Sequence, residues 1–500
     1  MKRVFALILA ILMVASLTVV VSAADASKKE KSYLAYQVFS GTQAPGEAKL
    51  ASVAWGNGIN GEALLAAIKA DKASFGSMFD ACVTAEDVAR VVATFADNDD
   101  HALAFAKLCC KNKIGSGTPV SDGNGSMLDA GYYIIYDATQ YAEDDTNYVY
   151  NLSLLQVTNK GIFEIKEKVT VPEVEKEVYE ESTDSWQEAA DYDIGDSVPF
   201  RLTATVGKIA GYKCYPLTFH DHLSKGLSFD PSTLKVTVTI QHKGGYEQEL
   251  YAGQGLDKYK LTIIDERNFD VTINDLITLE AEEGDKVFVT YSAVLNEDAV
   301  VGTAGNPNSV KLDYYNNPND ECGGQKGETP EEEVIVYTWG DQFDKVTESN
   351  GELLPLAGAK FELFKKNADG SLTSLGEKEV VEVKDETTGK IISYSANFKG
   401  LDSGSYVLRE TVVPAGYNGI DDIEFTVIAT FDGKDVKEFK VDNGFEAKEG
   451  TVYGEIVNKV GVVLPETGGA GTKALTAVGA CALICGLVFG ITKKRAGEED

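Results

Sequence analysis

Basic residues are in short supply along this chain: 46 lysines and arginines face 78 aspartates and glutamates, a formal charge of −32 over 500 residues. A surface of that sign repels phosphate, which excludes nucleic acid as a partner and favours a soluble, self-repelling body. Histidine is scarcer still, with only His101, His220, His222 and His242. Neither these nor the seven cysteines fall at the C-x-x-C or H-E-x-x-H spacings that hold a metal. No metal site and no cofactor is expected. A Ser/His/Asp grouping is missing as well, and the acidic pairs fall in turns, so a tethered hydrolase finds no support. Cys481 and Cys485 lie in a C-terminal apolar run. The remaining Cys82, Cys109, Cys110, Cys214 and Cys322 are odd in number and too few for a disulfide framework. Something other than disulfides is expected to hold the domains together.

The two chain ends are better supplied with signals. Met1-Lys2-Arg3, an apolar stretch from Phe5 to Val21 and the small residues Ser22-Ala23-Ala24 read as a secretory signal over residues 1–24, with the mature chain starting near Asp25. At the other end, Leu464-Pro465-Glu466-Thr467-Gly468 precedes an apolar run from Ala474 to Thr492 and the basic Lys493, Lys494 and Arg495. As a helix, the run is just long enough to cross a bilayer, and the basic cluster holds the tail on the cytoplasmic side. Pentapeptide, span and basic tail in this order, over residues 462–500, resemble the sorting signal of sortase substrates. The resemblance implies transient membrane anchoring, cleavage between Thr467 and Gly468 by a sortase transpeptidase, and transfer of the Thr467 carbonyl to an amine. Between the two ends, two to four domains are expected to fold outside the cell.

Residues 25–165 read as a first domain of mixed type. Thr84 followed by Asp87 marks a helix start, with Val88, Val91, Val92 and Phe95 at helical spacing, and Ala102 to Cys110 forms a second helix. Strand-like runs rich in Tyr, Val and Ile cover Ser32 to Phe39, Gly131 to Ala138 and Tyr148 to Val157. A sheet with a helical insertion is expected. Tyr36-Gln37-Val38-Phe39-Ser40-Gly41 and Trp55-Gly56-Asn57-Gly58 resemble the first domain of backbone subunits of Gram-positive pili.

Around Lys166 to Lys176, a proline and alternating charges suggest an extended linker entering a new strand. In the pilus backbone family a lysine here, usually preceded by Tyr-Pro, attacks the sortase-bound threonine of the next subunit. Lys168 fits that place, with Lys166 as the alternative, although Tyr-Pro is missing. Residues 166–330 then show short alternating strands without helices, at Ile194 to Val206, Leu234 to Ile240 and Lys286 to Val294, the pattern of an immunoglobulin-like β-sandwich. Glu173-Val174-Glu175-Lys176, Tyr192-Asp193-Ile194-Gly195-Asp196, Asp221-His222-Leu223-Ser224-Lys225-Gly226-Leu227 and Tyr314-Tyr315-Asn316-Asn317-Pro318 resemble the isopeptide-forming middle domain of fimbrial subunits. The resemblance implies Lys176 as nucleophile, Asp221 as the assisting acid and Asn316 as the amide. Alternation prefers Asn316 to Asn317, because Leu312, Tyr314 and Asn316 share one face.

A third domain, residues 331–461, contains Phe343-Asp344-Lys345-Val346, Leu356-Ala357-Gly358-Ala359-Lys360-Phe361-Glu362-Leu363, Tyr406-Val407-Leu408-Arg409-Glu410-Thr411-Val412-Val413-Pro414-Ala415-Gly416-Tyr417 and Ile456-Val457-Asn458. These resemble a Cna B-type domain, a small reversed immunoglobulin-like sandwich, and imply a second triad of Lys345, Glu410 and Asn458. Glu410 shares a strand face with Tyr406 and Leu408. A carboxylate there is expensive unless it is protonated or partnered.

The fold class expected is mainly β: tandem immunoglobulin-like sandwiches after a mixed first domain. Function follows as the structural backbone subunit of a covalently polymerised, sortase-assembled pilus. Its partners would be the sortase, further copies of itself, minor pilins and peptidoglycan, and its only catalysis a single intramolecular turnover at each triad. The alternative is a singly displayed wall-anchored adhesin that binds a host or surface ligand.

Overall fold

The computed structural model describes residues 31–43, 49–96, 99–121, 128–142, 144–158, 165–252, 258–320, 322 and 325–461. The secretory signal, the sorting pentapeptide Leu464 to Gly468 and the apolar run lie outside these. Among the described residues no helix is long and apolar enough to cross a membrane. The chain divides into two compact units: residues up to 190 with 195–298 and 306–336, and residues 191–194 and 299–305 with 337 onward.

The first unit begins with a five-stranded sheet in the order Leu50–Trp55, Tyr33–Gln43, Gly131–Asp137, Leu154–Thr158, with Thr118–Val120 also paired to Tyr33–Gln43. Helices fill the chain between Trp55 and Thr118. The Thr84 side chain accepts from the Asp87 N–H while the Asp87 carboxylate accepts from the Thr84 N–H, a capping box that starts the helix Ala85–Val92. Asp99 caps Asp100–Lys111 in one direction only, its carboxylate accepting from the Ala102 N–H at 2.7 Å. The helix Gly61–Ala70 was not expected from the sequence; Asn60 starts it, and its first residue must be small because a Cβ on Gly61 would lie 2.3 Å from the Trp55 ring. Gly56 is equally constrained, since a Cβ there would meet the Gln37 carbonyl at 2.3 Å. These helices close over Val38, Phe39 and Ile134 with Leu64, Phe79, Val88 and Phe105.

A β-sandwich completes the unit. One sheet runs Glu247–Leu250, Thr237–Gln241, Lys286–Leu295, Ser197–Thr205, Glu173–Glu180, Ser185–Gln187; the facing sheet contains Tyr259–Ile263, Asn268–Ile273, Leu217–Leu223, Asn306–Tyr315 and Glu332–Tyr337 in that order. Strict alternation of buried and accessible residues along Lys286–Leu295 shows why the sequence pattern reads as a strand with one face in the core. The strand Glu332–Tyr337 pairs with Asn306 to Val310, so this domain extends past the boundary expected at residue 330. The linker is not unpaired: Val169 bridges to Ile209, and the Thr170 N–H donates to the Lys208 carbonyl. The sandwich is also joined to the first sheet. The Tyr150 N–H donates to the Asn316 carbonyl at 2.8 Å, the Ser153 N–H to Asn319 Oδ1 at 2.9 Å, and Tyr314 OH to the Tyr148 carbonyl at 3.1 Å.

One expectation about cysteine is overturned here. Cys214 and Cys322 form a disulfide across 108 residues of the sandwich, while Cys82, Cys109 and Cys110 are free and buried. An odd count hid a pair that only the fold brings together.

The second unit packs two five- to six-stranded sheets. Val381–Lys384, Ile391–Ala396, Gly340–Ser349, Thr451–Asn458 and Glu446–Lys448 form one, with Glu352–Pro355 paired to Gly340–Ser349. The other runs Leu372–Glu379, Lys360–Lys366, Gly404–Val412, Ile423–Asp432, Asp435–Val441. Gly340–Ser349 and Thr451–Asn458, the unit's first and last long strands, lie parallel, with Lys345 opposite Ile456.

Candidate functional site

Alternation along Glu173–Glu180 exposes Glu173 and Glu175 and buries Val174, Lys176 and Val178, which commits a lysine to the sandwich core. Leu217–Leu223 in the facing sheet does the same with Asp221. The two meet there. Lys176 Nζ lies 2.5 Å from Asp221 Oδ2, 2.6 Å from Asn308 Oδ1 and 3.0 Å from the Ser309 carbonyl. Tyr291, from the sheet that carries Lys176, donates its hydroxyl proton to Asp221 Oδ1 at 2.8 Å and accepts from Asn308 Nδ2 at 2.8 Å. Both charged side chains are inaccessible to water. Burial lowers the Lys176 amine to about 8 against the opposing pull of Asp221, and burial raises the Asp221 carboxyl. Both shifts favour the neutral forms, an amine that can attack and an acid that can give a proton.

The amide in this site is therefore Asn308, and the assignment of Asn316 is corrected. Asn316 follows the strand Asn306–Tyr315, eight residues beyond Asn308, or about 27 Å along an extended chain. Its side chain is buried, yet neither Oδ1 nor Nδ2 has a hydrogen-bond partner among the described residues. Alternation identified the right face, since Asn308, Val310, Leu312 and Tyr314 are all buried, but it carries no information about position along that face.

In the second unit the three expected residues do come together. Lys345 Nζ lies 2.6 Å from Asn458 Oδ1 and 2.7 Å from the Ile456 carbonyl. Asn458 Nδ2 donates to Glu410 Oε1 at 2.8 Å, and the same oxygen is 3.9 Å from the Lys345 amine. Glu410 reaches in from the facing sheet, opposite Phe361, and its Oε2 accepts from the Ile420 N–H at 3.3 Å. Burial again lowers the lysine amine, to about 8.

A third lysine shows what these two are not. Lys365 Nζ is held 2.6 Å from both Asp193 Oδ2 and Asp402 Oδ2. Burial acts to lower its affinity for a proton, but the Asp402 and Asp193 carboxylates outweigh burial and keep the amine charged above the usual lysine range. It has no carboxamide beside it among its hydrogen-bond partners and is built as an ion pair.

The linker lysines differ from each other in setting. Lys166 is exposed, and Lys168 is half-buried. Asn151 ties the segment down, accepting from the Lys168 N–H at 2.9 Å and donating to the Lys166 carbonyl at 3.1 Å. Lys168 lines an open cleft of about 460 Å³ together with Lys208, Ile209, Ala210, Ile277 and Ala281.

Comparison with known proteins matches three stretches of the chain. Residues 194–318 match the family model described as Gram-positive pilin backbone subunit 2, Cna-B-like domain; residues 342–444 match the prealbumin-like fold domain of the SpaA type; and residues 456–496 match the LPXTG cell wall anchor motif. The trypsin-resistant surface T6 protein of Streptococcus pyogenes is 24% identical over 427 residues, 71% of this chain and 73% of that protein. The collagen adhesin of Staphylococcus aureus is 24% identical over 297 residues, 52% of this chain but 24% of that protein. The solved structure of the T6 backbone pilin of S. pyogenes, a modular three-domain protein, has the same fold with a TM-score of 0.52 at 17% identity, covering 87% of this chain and 97% of that one.

Proposed function

We propose that this chain, one of the wall-anchored pilin backbone proteins of Gram-positive bacteria, stiffens its two sandwiches with self-formed amide bonds, Lys176 to Asn308 and Lys345 to Asn458, and is joined through Lys168 to further copies of itself. The observation that carries the reading is the double occurrence of one arrangement. A buried lysine amine, lowered to about 8, touches a carboxamide oxygen at 2.6 Å with a carboxyl group alongside. Such a site forms an amide by displacing ammonia, with proximity supplying most of the acceleration. Each bond closes a large loop, of 132 and 113 residues, and links strands near the two ends of a domain. Tension along the fibre then passes through a covalent bond instead of unzipping a sheet.

Each site works once, so the catalysis is that of a single turnover and the chain is otherwise a substrate, of sortase. The cleft beside Lys168 supports that lysine as the acceptor for Thr467, with minor pilins and peptidoglycan as further acceptors or donors at the ends of the polymer. Intact-mass measurement and peptide mapping of the extracted protein test both layers. The mature chain should weigh less than its sequence by two ammonia molecules, beyond the two hydrogens lost in the Cys214–Cys322 disulfide. Full sequence mass in folded chain would remove the self-crosslinking argument. For assembly, Lys168→Ala should abolish the detergent-resistant ladder of multimers while Lys166→Ala leaves it intact. A peptide joining Thr467 to Lys166 overturns the choice of lysine, and a wild-type chain found only as a single wall-linked species favours the singly displayed adhesin.

A further inference from the structure

Within the reading of Lys176 and Asn308 as a bond-forming pair, the acid is in an unexpected place. In the second unit, Glu410 Oε1 touches the leaving group directly, accepting from Asn458 Nδ2 at 2.8 Å. In the first unit, Asp221 makes no hydrogen bond to the Asn308 carboxamide among the described residues. Its Oδ2 faces the Lys176 amine at 2.5 Å, and its Oδ1 faces the Tyr291 hydroxyl at 2.8 Å. The tyrosine hydroxyl is what touches Asn308 Nδ2, at 2.8 Å, and it also lies 3.4 Å from Lys176 Nζ. Tyr291 is buried and stacked against Phe200, with the Phe269 ring edge-on to it, so its hydroxyl has a set position.

We propose that Tyr291 is a catalytic residue of the first site, relaying the proton of Asp221 to the departing nitrogen of Asn308. The neutral Lys176 amine attacks Cγ of Asn308, forming the Nζ–Cγ bond. As Nδ2 becomes tetrahedral its lone pair turns into an acceptor and takes the Tyr291 hydroxyl proton. Asp221 enters as the neutral acid with its proton on Oδ1 and passes that proton to the tyrosine oxygen as the hydroxyl turns from Oδ1 toward Nδ2, and Asp221 Oδ2 collects the proton that Nζ must lose. The Cγ–Nδ2 bond breaks and ammonia leaves. Tyr291 ends as a phenol and Asp221 as a neutral acid with its proton now on Oδ2, so the net change is one lysine proton passed to the leaving group through a carboxyl and a phenol. A phenol can do this because one hydroxyl accepts and donates at once. Among the described residues, Asp221 has no hydrogen bond of its own to Nδ2, and the tyrosine hydroxyl is the group that spans the two.

The test uses the full chain, with the Lys345 to Asn458 bond as a control inside the same molecule. Tyr291→Phe keeps the ring and removes the relay. The Lys176 to Asn308 bond should then form about a hundredfold more slowly or not at all, while the Lys345 to Asn458 bond and the Cys214–Cys322 disulfide still form. A Tyr291→Phe chain that makes the first bond as fast as wild type overturns the relay and leaves the pairing of Lys176 with Asn308 standing. A wild-type chain without that bond sinks the underlying reading instead. Where Tyr291→Phe fails to form the disulfide, a ring-fluorinated tyrosine at position 291 decides. It keeps size and hydroxyl but is a stronger acid, so bond formation followed during cell-free synthesis should be several-fold faster, and an unchanged rate overturns the relay.

Discussion

The two lysine–asparagine sites use the same three functional groups in different architectures. In the second unit, Lys345 and Asn458 sit on neighbouring parallel strands of one sheet, and only Glu410 crosses from the other. In the first, Lys176 and Asn308 belong to opposite sheets, Asp221 lies beside Asn308 on the paired strand with Val310 opposite it, and Tyr291 reaches over from the side of Lys176. One bond would staple two strands within a sheet, and the other would staple the two halves of a sandwich. Different strand arrangements thus supply the same setting, a buried lysine amine 2.6 Å from a carboxamide oxygen, which is what the proposed chemistry requires. Lys365 marks the limit: two carboxylates at 2.6 Å turn a lysine into a permanent cation.

The largest effects are expected from removing the acids. Asp221→Ala and Glu410→Ala should each leave the bond of their own site unformed and the other bond complete. The loss of a crosslink spanning more than a hundred residues lowers that domain's stability by about 5 kcal/mol, or roughly 10–20 °C in melting temperature for a domain of this size. Calorimetry with peptide mapping checks it, and a crosslink that survives in either variant breaks the analogy between the sites.

Asn308→Ala should match Asp221→Ala in mass and melting behaviour. Asn316→Ala, by contrast, should leave the bond intact with a stability change under about 1 kcal/mol, since it removes a buried amide with no hydrogen-bond partner among the described residues. A crosslinked Lys176 in Asn308→Ala chain would return the assignment to another asparagine.

A smaller asymmetry concerns sulfur. Cys214→Ser should destabilise the first unit's sandwich by about 2 kcal/mol, less than an isolated crosslink of that span because the proposed Lys176 to Asn308 bond would already restrain the unfolded chain. The second unit, with no cysteine among its described residues, should melt unchanged. Equal shifts in both units would show that they do not unfold independently.

The mildest expectation is a shared pH dependence. Both reactive amines lie near 8, so below that pH the neutral fraction falls about tenfold per unit, and bond formation during folding should slow in both domains between pH 8 and pH 6. The same sign appears in stability. An unlinked precursor binds protons less readily than its unfolded chain, so it gains stability as pH rises from about 8 toward the ordinary lysine value near 10.4. Rates that respond to pH in one domain alone would show that the two amines are not equivalent.

Local signals were legible where one stretch of chain is enough. Thr84 and Asp87 specify a helix start without outside help, and the alternation in Lys286–Leu295 places a strand face in a core. Lys345, Glu410 and Asn458 were found because the domain's motifs carry them on strands whose order the resemblance supplies. The helix Gly61–Ala70 was missed because its apolar residues, Leu64, Leu65 and Ile68, are few and its start depends on a glycine packed against Trp55. Tyr291 was missed for another reason, since a tyrosine in an alternating strand looks like core until its hydroxyl is seen between two reacting groups.

Resemblance singled out Lys176, Asp221 and Lys345, and by itself the sequence determined that the chain is acidic and mainly β, that it carries a sorting pentapeptide, apolar run and basic tail, and that Glu410 is a charge placed on an apolar strand face. Those are properties of composition and of a two-residue period, which any extended strand obeys. Only the tertiary structure decided that Asn308 and not Asn316 meets Lys176, that Cys214 finds Cys322, and that a tyrosine stands between acid and amide. Each of these depends on the register of strands far apart in the chain, and the register of facing sheets is set by packing across the core, which no single strand's pattern records.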